Sequence, residues 1–333
     1  MRRVVITGGA GFVGSHLCRR FLRDGDEVVC VDNLLTGDLS NVDELLANER
    51  FLLIRTDVAE HLDVPGIVDA VLHFASPASP ADYLRLPLET LSVGSSGTRN
   101  ALELALRKDA RFVLASTSEA YGDPEEHPQP ETYWGNVNPV GPRSVYDEAK
   151  RFSETLTTAY RRYKKVDTGI ARIFNTFGEY MRPDDGRAIP AFIGQALRGE
   201  PMTVSGDGSQ TRSVCYVDDL VEGVVRLLDS GEPGPINLGN TDEMPILALA
   251  ELIRELAGSD SEILFVDRPV DDPAVRRPDI TLARTLLDWE PRTPVRTGLE
   301  RTIRWFAGQL VETSPARPWA GPSRVGGTGP GGR

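Results

Sequence analysis

Tyr146 and Lys150 are the two side chains whose spacing most directly suggests acid–base chemistry. They lie four residues apart, so a helix would place both on one face. An ammonium group beside a phenol lowers the pKa of that phenol from its ordinary value of about 10. Tyr146 could then act as a base near neutral pH, although a surface tyrosine next to a solvated lysine has the same pattern.

A hydroxyl-rich segment that ends in an acid precedes this pair. Ser116, Thr117, Ser118 and Glu119 directly follow an apolar run at residues 112–115, which is typical of a buried strand. Polar groups at the carboxyl end of such a strand are well placed to face a ligand. The alternative role for Glu119 is stabilisation of a helix start, worth less than about 1 kcal/mol.

Three glycines near the N-terminus have the spacing of a dinucleotide-binding loop. Gly8, Gly11 and Gly14 follow a strand-like run at residues 4–7 and open a helical pattern at residues 15–22. Glycine there lets the backbone approach a pyrophosphate at a helix N-terminus. By itself, the Gly-x-x-Gly-x-x-Gly order would equally fit an ordinary tight turn.

A carboxylate about 20 residues further along supports the dinucleotide interpretation. Asp32 ends the second apolar run, where it can accept hydrogen bonds from both adenosine ribose hydroxyls and would repel a 2′-phosphate. NAD is therefore favoured over NADP. Asp57 and Val58 follow the third run and are placed to meet the adenine, although a solvated aspartate at a strand end explains Asp57 about equally well.

The elements that must position these side chains alternate along the chain. Short apolar runs typical of buried parallel strands are separated by helical patterns, at residues 4–7, 28–31, 51–54, 70–74, 112–115 and 169–174. This alternation predicts an α/β fold, a Rossmann-type doubly wound parallel sheet with a smaller C-terminal substrate-binding lobe.

We expect residues 1–175 to form the nucleotide-binding domain, completed by segments near 213–238, of which 235–238 could return to the main sheet. Residues 176–312 are predicted to form the discontinuous smaller lobe. Its amphipathic stretches are at residues 191–197, 217–228, 247–257 and 298–310. Residues 313–333 are rich in proline and glycine and are predicted to be a disordered tail.

Composition excludes several classes of protein. The 333 residues are 40% hydrophobic and 26% charged, with a net charge of −12, which argues against nucleic-acid and anionic-membrane partners. Cys18, Cys30 and Cys215 lack metal-site or disulfide spacing and are expected in the core, with no metal site. A strand-like run almost at the initiator Met and the lack of a long apolar run predict a cytoplasmic protein.

Longer blocks resemble a known family. Residues 7–14, residues 115–124 and the Tyr146/Lys150 pair look like those of the extended short-chain dehydrogenases/reductases. Further blocks closely resemble the UDP-glucuronate decarboxylases, or UDP-xylose synthases, at residues 127–129, 133–139, 171–178, 208–212 and 276–280. The resemblance runs from about residue 3 to about residue 308. It also suggests a homodimer formed by helices that include the Tyr146 helix.

The resemblance implies NAD-dependent decarboxylation of UDP-glucuronate to UDP-xylose. Tyr146 would remove the O4 proton while hydride leaves C4 for NAD⁺, giving a 4-keto sugar whose β-carboxylate is lost as carbon dioxide. Re-protonation at C5 and return of hydride would complete the reaction. Thr117 would form a hydrogen bond with O4, and Glu119 would position the sugar ring or a water molecule. Ser118 stands where sugar 4,6-dehydratases carry an acid.

The predicted catalytic residues are Thr117, Ser118, Glu119, Tyr146 and Lys150. The predicted cofactor-binding residues are Gly8, Gly11, Phe12, Val13, Gly14, Asp32, Asn33, Thr36, Asp57, Val58, Phe74, Ala75, Ser76, Ser116, Tyr146, Lys150 and Thr176. The predicted substrate-binding residues are Pro77, Ala78, Ser79, Tyr83, Glu119, Asn175, Arg187, Gln210, Arg212 and Arg276. Among these, Arg212 and Arg276 are expected to bind the diphosphate, because guanidinium groups suit bidentate contacts with phosphate.

Three segments depart from the family pattern. Ser92-Val93-Gly94 replaces a common Lys-Thr-Asn run, Tyr180 stands where Gly-Pro-Arg-Met has its arginine, and Ser205 replaces an aromatic near the uracil. Arg182 could substitute for the lost arginine. These departures keep three alternatives open: a variant that releases mainly UDP-4-keto-pentose, a UDP-sugar 4-epimerase, and a non-catalytic NAD-binding regulator.

Overall fold

The computed structural model describes residues 1–268 and 275–313. The strands are β1 (Arg3–Thr7), β2 (Glu27–Asp32), β3 (Phe51–Arg55), β4 (Ala70–His73), β5 (Arg111–Thr117), β6 (Thr168–Ile173), β7 (Thr176–Phe177), β8 (Met202–Ser205), β9 (Thr211–Ser213), β10 (Cys215–Tyr216), β11 (Ile236–Leu238), β12 (Glu243–Pro245) and β13 (Ile263–Val266). The predicted tail lies outside the described residues from position 314 onward.

The helices are α1 (Phe12–Arg23), α2 (Pro80–Arg85), α3 (Pro87–Ser92), α4 (Thr98–Lys108), α5 (Ser144–Ala159), α6 (Ala188–Arg198), α7 (Val217–Ser230), α8 (Ile246–Leu256), α9 (Thr281–Leu287) and α10 (Val295–Thr313). Short 3₁₀ turns cover Leu39–Asn41, Asp43–Leu45 and Ser118–Tyr121, and π turns cover Val93–Gly97 and Tyr160–Lys164. Within the described ranges, no helix is long and apolar enough to cross a membrane.

Seven of the described strands form the central sheet, in the order β3-β2-β1-β4-β5-β6-β11, and every neighbouring pair is parallel. The predicted doubly wound Rossmann-type fold is therefore confirmed. The order reverses between β1 and β4, which opens a crevice at the carboxyl ends of these strands. The polar residues that the sequence predicts for catalysis and cofactor binding lie along that edge.

Both faces of the sheet are covered, which explains why its strands read as continuous apolar runs. Alternate residues of β1 point to opposite sides, so Ile6 and Val5 belong to separate buried clusters. The helix α7 packs beside α1, where the Arg20 Nη1 and Glu222 Oε2 atoms are 2.6 Å apart. Cys18, Cys30 and Cys215 are buried and unbonded, as expected of core residues.

The smaller lobe is built from short pairings that have weak sequence signals. In it, β8 pairs with β13 in parallel and β9 pairs with β12 antiparallel. Phe192 of α6, Leu249 of α8 and Phe306 of α10 are almost fully buried in its core. The pairing of β10 with β7 brings the lobe back to the edge of the main sheet.

The chain between α3 and α4 packs tightly on α5. Gly94, in the π turn, leaves no room for a side chain, because a Cβ there would lie 2.6 Å from the Ala149 Cβ. The Ser153 Oγ also donates a hydrogen bond to the Gly94 carbonyl at 2.7 Å. The departure at Ser92-Val93-Gly94 thus coincides with a close contact to the helix that carries Tyr146 and Lys150.

Candidate active site

A cavity of about 840 Å³ opens at the carboxyl edge of the sheet. Every residue predicted from the sequence for catalysis, cofactor or substrate lines this cavity. The structure therefore brings together side chains from residues 8 to 276 of the chain. Their individual roles stay predictions.

The glycine loop packs closely against neighbouring backbone, so side chains cannot be accommodated there. Gly8 has φ +72°, and a Cβ on it would lie 2.7 Å from the Ala75 Cα. A Cβ on Gly14 would lie 2.1 Å from the Gly8 carbonyl oxygen. The helix α1 begins after Gly11 with no side-chain cap and no acid in its first turn, so its N–H groups can meet a pyrophosphate.

Asp32 is positioned by the backbone on either side of it. Its Oδ1 accepts from the Leu34 N–H at 2.8 Å and its Oδ2 from the Ala10 N–H at 3.0 Å. Burial raises the pKa of Asp32, and these two hydrogen bonds oppose that shift. A carboxylate has about four acceptor sites, so ribose hydroxyls can still bind. The Asn33 amide ties this loop to the Asp57 carboxylate at 3.0 Å.

Tyr146 and Lys150 lie on one face of α5, as predicted. The Lys150 Nζ is 5.7 Å from the centre of the Tyr146 ring and donates to the Ala115 carbonyl at 2.9 Å. Tyr83 stacks on Tyr146 with ring centres 5.1 Å apart. A hydrogen bond joins Thr117 to the Tyr146 phenol, so the hydroxyl and the phenol can address the same substrate atom.

The expected lowering of the Tyr146 pKa is not found in this structure. Burial raises the pKa of Tyr146 to about 12 and lowers that of Lys150 to about 8. The Lys150 ammonium is directed at the Ala115 carbonyl, so burial outweighs its effect on the phenol. The positive charge of an oxidised nicotinamide bound in this cavity would favour the phenolate.

Glu119 lies between two arginines. The Arg143 Nη2 is 2.9 Å from one carboxylate oxygen, and the Arg276 Nη1 contacts the other. Burial alone would raise the pKa of Glu119, but these guanidinium groups hold it at about 2. Glu119 is therefore an anion at neutral pH.

Arg276, which was predicted to bind the diphosphate, contacts the loop that carries Ser118 and Glu119. It is 2% exposed, and its guanidinium also donates to the Ser118 Oγ at 3.3 Å and the Gly122 carbonyl at 3.0 Å. Its Nη1 and Nη2 atoms are therefore directed at this loop and at the Gly122 carbonyl, and its role as a diphosphate ligand stays a prediction. The physical reason is the buried Glu119 carboxylate, which needs a compensating charge.

Sequence reasoning missed charged cavity residues such as Arg143 and Asp82, and it named Arg182 only as a possible replacement for a lost arginine. Arg143 stands three positions before Tyr146, and this basic residue at the start of the helix was the available signal. Arg182 had been considered as a replacement for a lost arginine, but it binds the Asp82 carboxylate at 3.0 Å. No sequence pattern links residues 82 and 182.

The remaining predicted residues lie toward the smaller lobe. Asn175 connects β6 to β7, and its carbonyl accepts from the Cys215 N–H at 2.8 Å. Arg187 precedes α6 and pairs with Asp185 at 3.2 Å. Arg212 lies on β9 and also lines the cavity. Two of these residues are guanidinium donors, which suits an anionic ligand.

The other departures also line the cavity. Tyr180 has φ +65°, and the Arg19 guanidinium lies 4.0 Å from its ring centre. Ser205 ends β8, and its carbonyl accepts from the Gln210 side chain at 2.8 Å. Both positions are thus held by local contacts.

Asp147 gives a test based on pH. It is 6% exposed, and burial, with a contribution from Glu119, raises its pKa to about 7. Between its ordinary range and pH 7, the folded chain keeps a proton that the unfolded chain has lost, so folding stability falls as pH rises through this window. We expect Asp147→Asn to gain thermal stability relative to wild type between pH 5 and pH 8.

The measurement is the unfolding temperature of both proteins across that pH range. Asp63→Asn is the matched control, because it makes the same change at a side chain that is 61% exposed. Parallel curves for wild type and Asp147→Asn would show that Asp147 is ionised in the fold throughout.

The chain is similar to characterised proteins over most of its length. The model of the NAD dependent epimerase/dehydratase family matches residues 4–239. UDP-glucuronic acid decarboxylase 1 of Danio rerio is 52% identical over 309 residues, which is 93% of this chain and 73% of that protein.

Solved structures give the same architecture. UDP-glucuronic acid 4-epimerase from Bacillus cereus, in complex with UDP-glucuronic acid and NAD, has a TM-score of 0.81 at 28% identity, covering 92% of this chain and 99% of that one. A dTDP-glucose 4,6-dehydratase from Streptomyces venezuelae with NAD bound has a TM-score of 0.85 at 27% identity, covering 93% and 98%.

Proposed function

Because the chain belongs to the NAD dependent epimerase/dehydratase family, we propose that it decarboxylates UDP-glucuronate to UDP-xylose through a UDP-4-keto intermediate. NAD is its cofactor. One observation carries the proposal: Glu119 lies between Arg143 and Arg276 beside Tyr146, in the cavity that also holds the glycine loop. The 52% identity to a UDP-glucuronic acid decarboxylase supports the same substrate.

Tyr146 is the base for the first step. In its phenolate form it takes the proton from the sugar O4 and becomes the phenol, and Thr117, which bonds the phenolic oxygen, holds the same sugar oxygen. Bound NAD supplies the chemistry of accepting a hydride and returning it. Lys150 lies behind the phenol, and its Nζ is fixed by the Ala115 carbonyl at 2.9 Å.

The loop Ser118-Glu119 favours loss of carbon dioxide over loss of water. Expulsion of a hydroxyl needs an acid that can donate a proton, and Ser118 is not one. Glu119 is held ionised by its two arginines. A carboxylate β to the new ketone leaves as carbon dioxide without such an acid. In this proposal Arg143 and Arg276 carry two positive charges against the single negative charge of Glu119, so the cluster keeps a net positive charge near the sugar acid.

We assign the UDP end to the smaller lobe. Arg187, Gln210 and Arg212 line the cavity there and suit the diphosphate and the base. We also propose that the chain forms a homodimer through α3 and α5. Leu88, Leu91 and Phe152 are 74%, 39% and 50% exposed on these helices, and apolar side chains of this size favour burial against a second copy.

Three alternatives differ in their products. A variant that fails to return hydride releases UDP-4-keto-pentose, and an epimerase keeps the carboxylate. A non-catalytic regulator leaves the sugar unchanged, and it has no need of the buried Tyr146 and Thr117 pair. The Glu119 cluster favours decarboxylation over the epimerase and the regulator, and the product ratio distinguishes complete from incomplete hydride return.

The deciding experiment is mass spectrometry of the purified protein incubated with UDP-glucuronate and NAD⁺. We expect loss of carbon dioxide and a product with the mass of UDP-xylose. A keto-pentose would indicate incomplete hydride return, and a product of unchanged mass that chromatography separates from UDP-glucuronate would indicate epimerisation. Unchanged substrate would refute decarboxylation.

A further inference from the structure

Arg182 connects two rims of the cofactor half of the cavity. Its Nη1 donates to the Thr36 carbonyl at 3.1 Å, and its Nη2 contacts the two Asp82 carboxylate oxygens at 3.1 and 3.0 Å. Thr36 lies on the loop that follows Asp32, and Asp82 lies on α2, after the predicted cofactor residues 74–76. All three residues line the cavity. One guanidinium group therefore bridges its two sides.

The acidic partner is fixed and charged. Asp82 is 5% exposed, and the Ser79 Oγ donates to its Oδ2 at 2.8 Å. Burial would raise its pKa, but Ser79 and Arg182 together hold it below the ordinary value. The ion pair thus persists at neutral pH.

The basic partner is fixed from the other side. Tyr180, two residues earlier, has φ +65°, which a bulky residue adopts only where its surroundings enforce it. Its ring lies 4.0 Å from the Arg19 guanidinium of α1 and 5.4 Å from the Trp305 ring of α10. The segment that carries Arg182 is therefore anchored to both α1 and the smaller lobe.

The proposed reaction depends on the cofactor staying bound, and a bridge across the cavity could retain it. The hydride taken from C4 is returned to C4, so NAD is neither consumed nor produced in one turnover. Release of NADH before that return would leave UDP-4-keto-pentose as the final product and require a new NAD⁺. Retention of the cofactor is therefore useful at the intermediate.

We propose that Arg182 and Asp82, with the Thr36 carbonyl, form a strap that closes over bound NAD and slows its release until hydride is returned. The part that concerns the intermediate rests on the proposed function, and the part that concerns release depends on the cofactor alone. Both residues act as positioning residues in this scheme.

The competing explanation is an ordinary ion pair that only stabilises α2. Arg85 offers the matched control, because its Nη2 binds the same Asp82 carboxylate at 3.2 Å. Its side chain is 62% exposed, against 27% for Arg182. If the pair only stabilised α2, removal of either arginine would act alike.

The experiment measures cofactor release without any UDP-sugar. Wild type, Arg182→Met, Asp82→Asn and Arg85→Met are loaded with NADH and mixed with excess NAD⁺, and the loss of bound nicotinamide fluorescence is followed. We expect release to accelerate about tenfold in the first two variants and to change by less than about twofold in Arg85→Met, since partly exposed pairs contribute modestly. Arg182→Lys, which keeps the charge but cannot bridge both groups, should fall between.

The second readout is the product ratio from UDP-glucuronate. The fraction of UDP-4-keto-pentose should rise in the same order as the release rates. Unchanged release in Arg182→Met and Asp82→Asn, or equal acceleration in Arg85→Met, would overturn the strap. A wild type that does not decarboxylate would refute the proposed function and leave the release measurement valid.

Discussion

Tyr146→Phe is expected to reduce turnover of UDP-glucuronate by about a thousandfold or more, within the range for loss of a general base. The substitution removes only the phenolic oxygen, so the ring can still stack on Tyr83, 5.1 Å away. Affinity for NAD should stay within about twofold of wild type, because the glycine loop and Asp32 lie on other elements. Initial rates and titration with NADH measure the two quantities.

Tyr163→Phe is the control for that variant. Tyr163 is 74% exposed just beyond α5, so the same atom is lost away from the cavity. Full activity is expected. Near-normal turnover in Tyr146→Phe would remove this residue from the mechanism, and a parallel loss of NAD binding would indicate a general disruption of the site.

Glu119→Gln should lower decarboxylation by about a hundredfold, because it removes a charge that two arginines hold in place. The amide is nearly isosteric, but Arg143 and Arg276 then lose their shared counter-charge. NAD affinity should change far less than turnover. The measurements are carbon dioxide release, NADH titration and the unfolding temperature.

Glu148→Gln serves as the control, being the same change at an exposed site. Equal losses of decarboxylation and cofactor binding in Glu119→Gln would favour a structural role for this carboxylate. Unchanged decarboxylation would separate Glu119 from the reaction.

The sheet could be predicted because parallel strands buried on both faces leave continuous apolar runs. The structure has a strand at all six runs, and β5 extends through Ser116 to Thr117. The glycine loop could also be predicted, because the positions of Gly8 and Gly14 have no room for a Cβ and therefore require glycine in the sequence. Strands of two to four residues in the smaller lobe, such as β8, had no comparable signal.

The charge network could not be predicted, because its partners are far apart in the chain. Glu119 and Arg276 are 157 positions apart, and Asp82 and Arg182 are 100 apart. Such contacts depend on how the smaller lobe packs on the sheet. The raised pKa of Tyr146 was missed for a related reason, since burial is a property of the assembled fold.

Because Gly94 and Ala149 are in close contact, the substitutions that each position tolerates depend on the residue at the other. A Cβ at 94 would lie 2.6 Å from the Ala149 Cβ and 3.0 Å from its carbonyl oxygen. A larger residue at 94 therefore needs a glycine at 149, at a helix-propensity cost of about 1 kcal/mol, or a shift of the helix that bears Tyr146. Chimeras that graft only the segment around 94 from a relative with a longer side chain there should inherit this conflict.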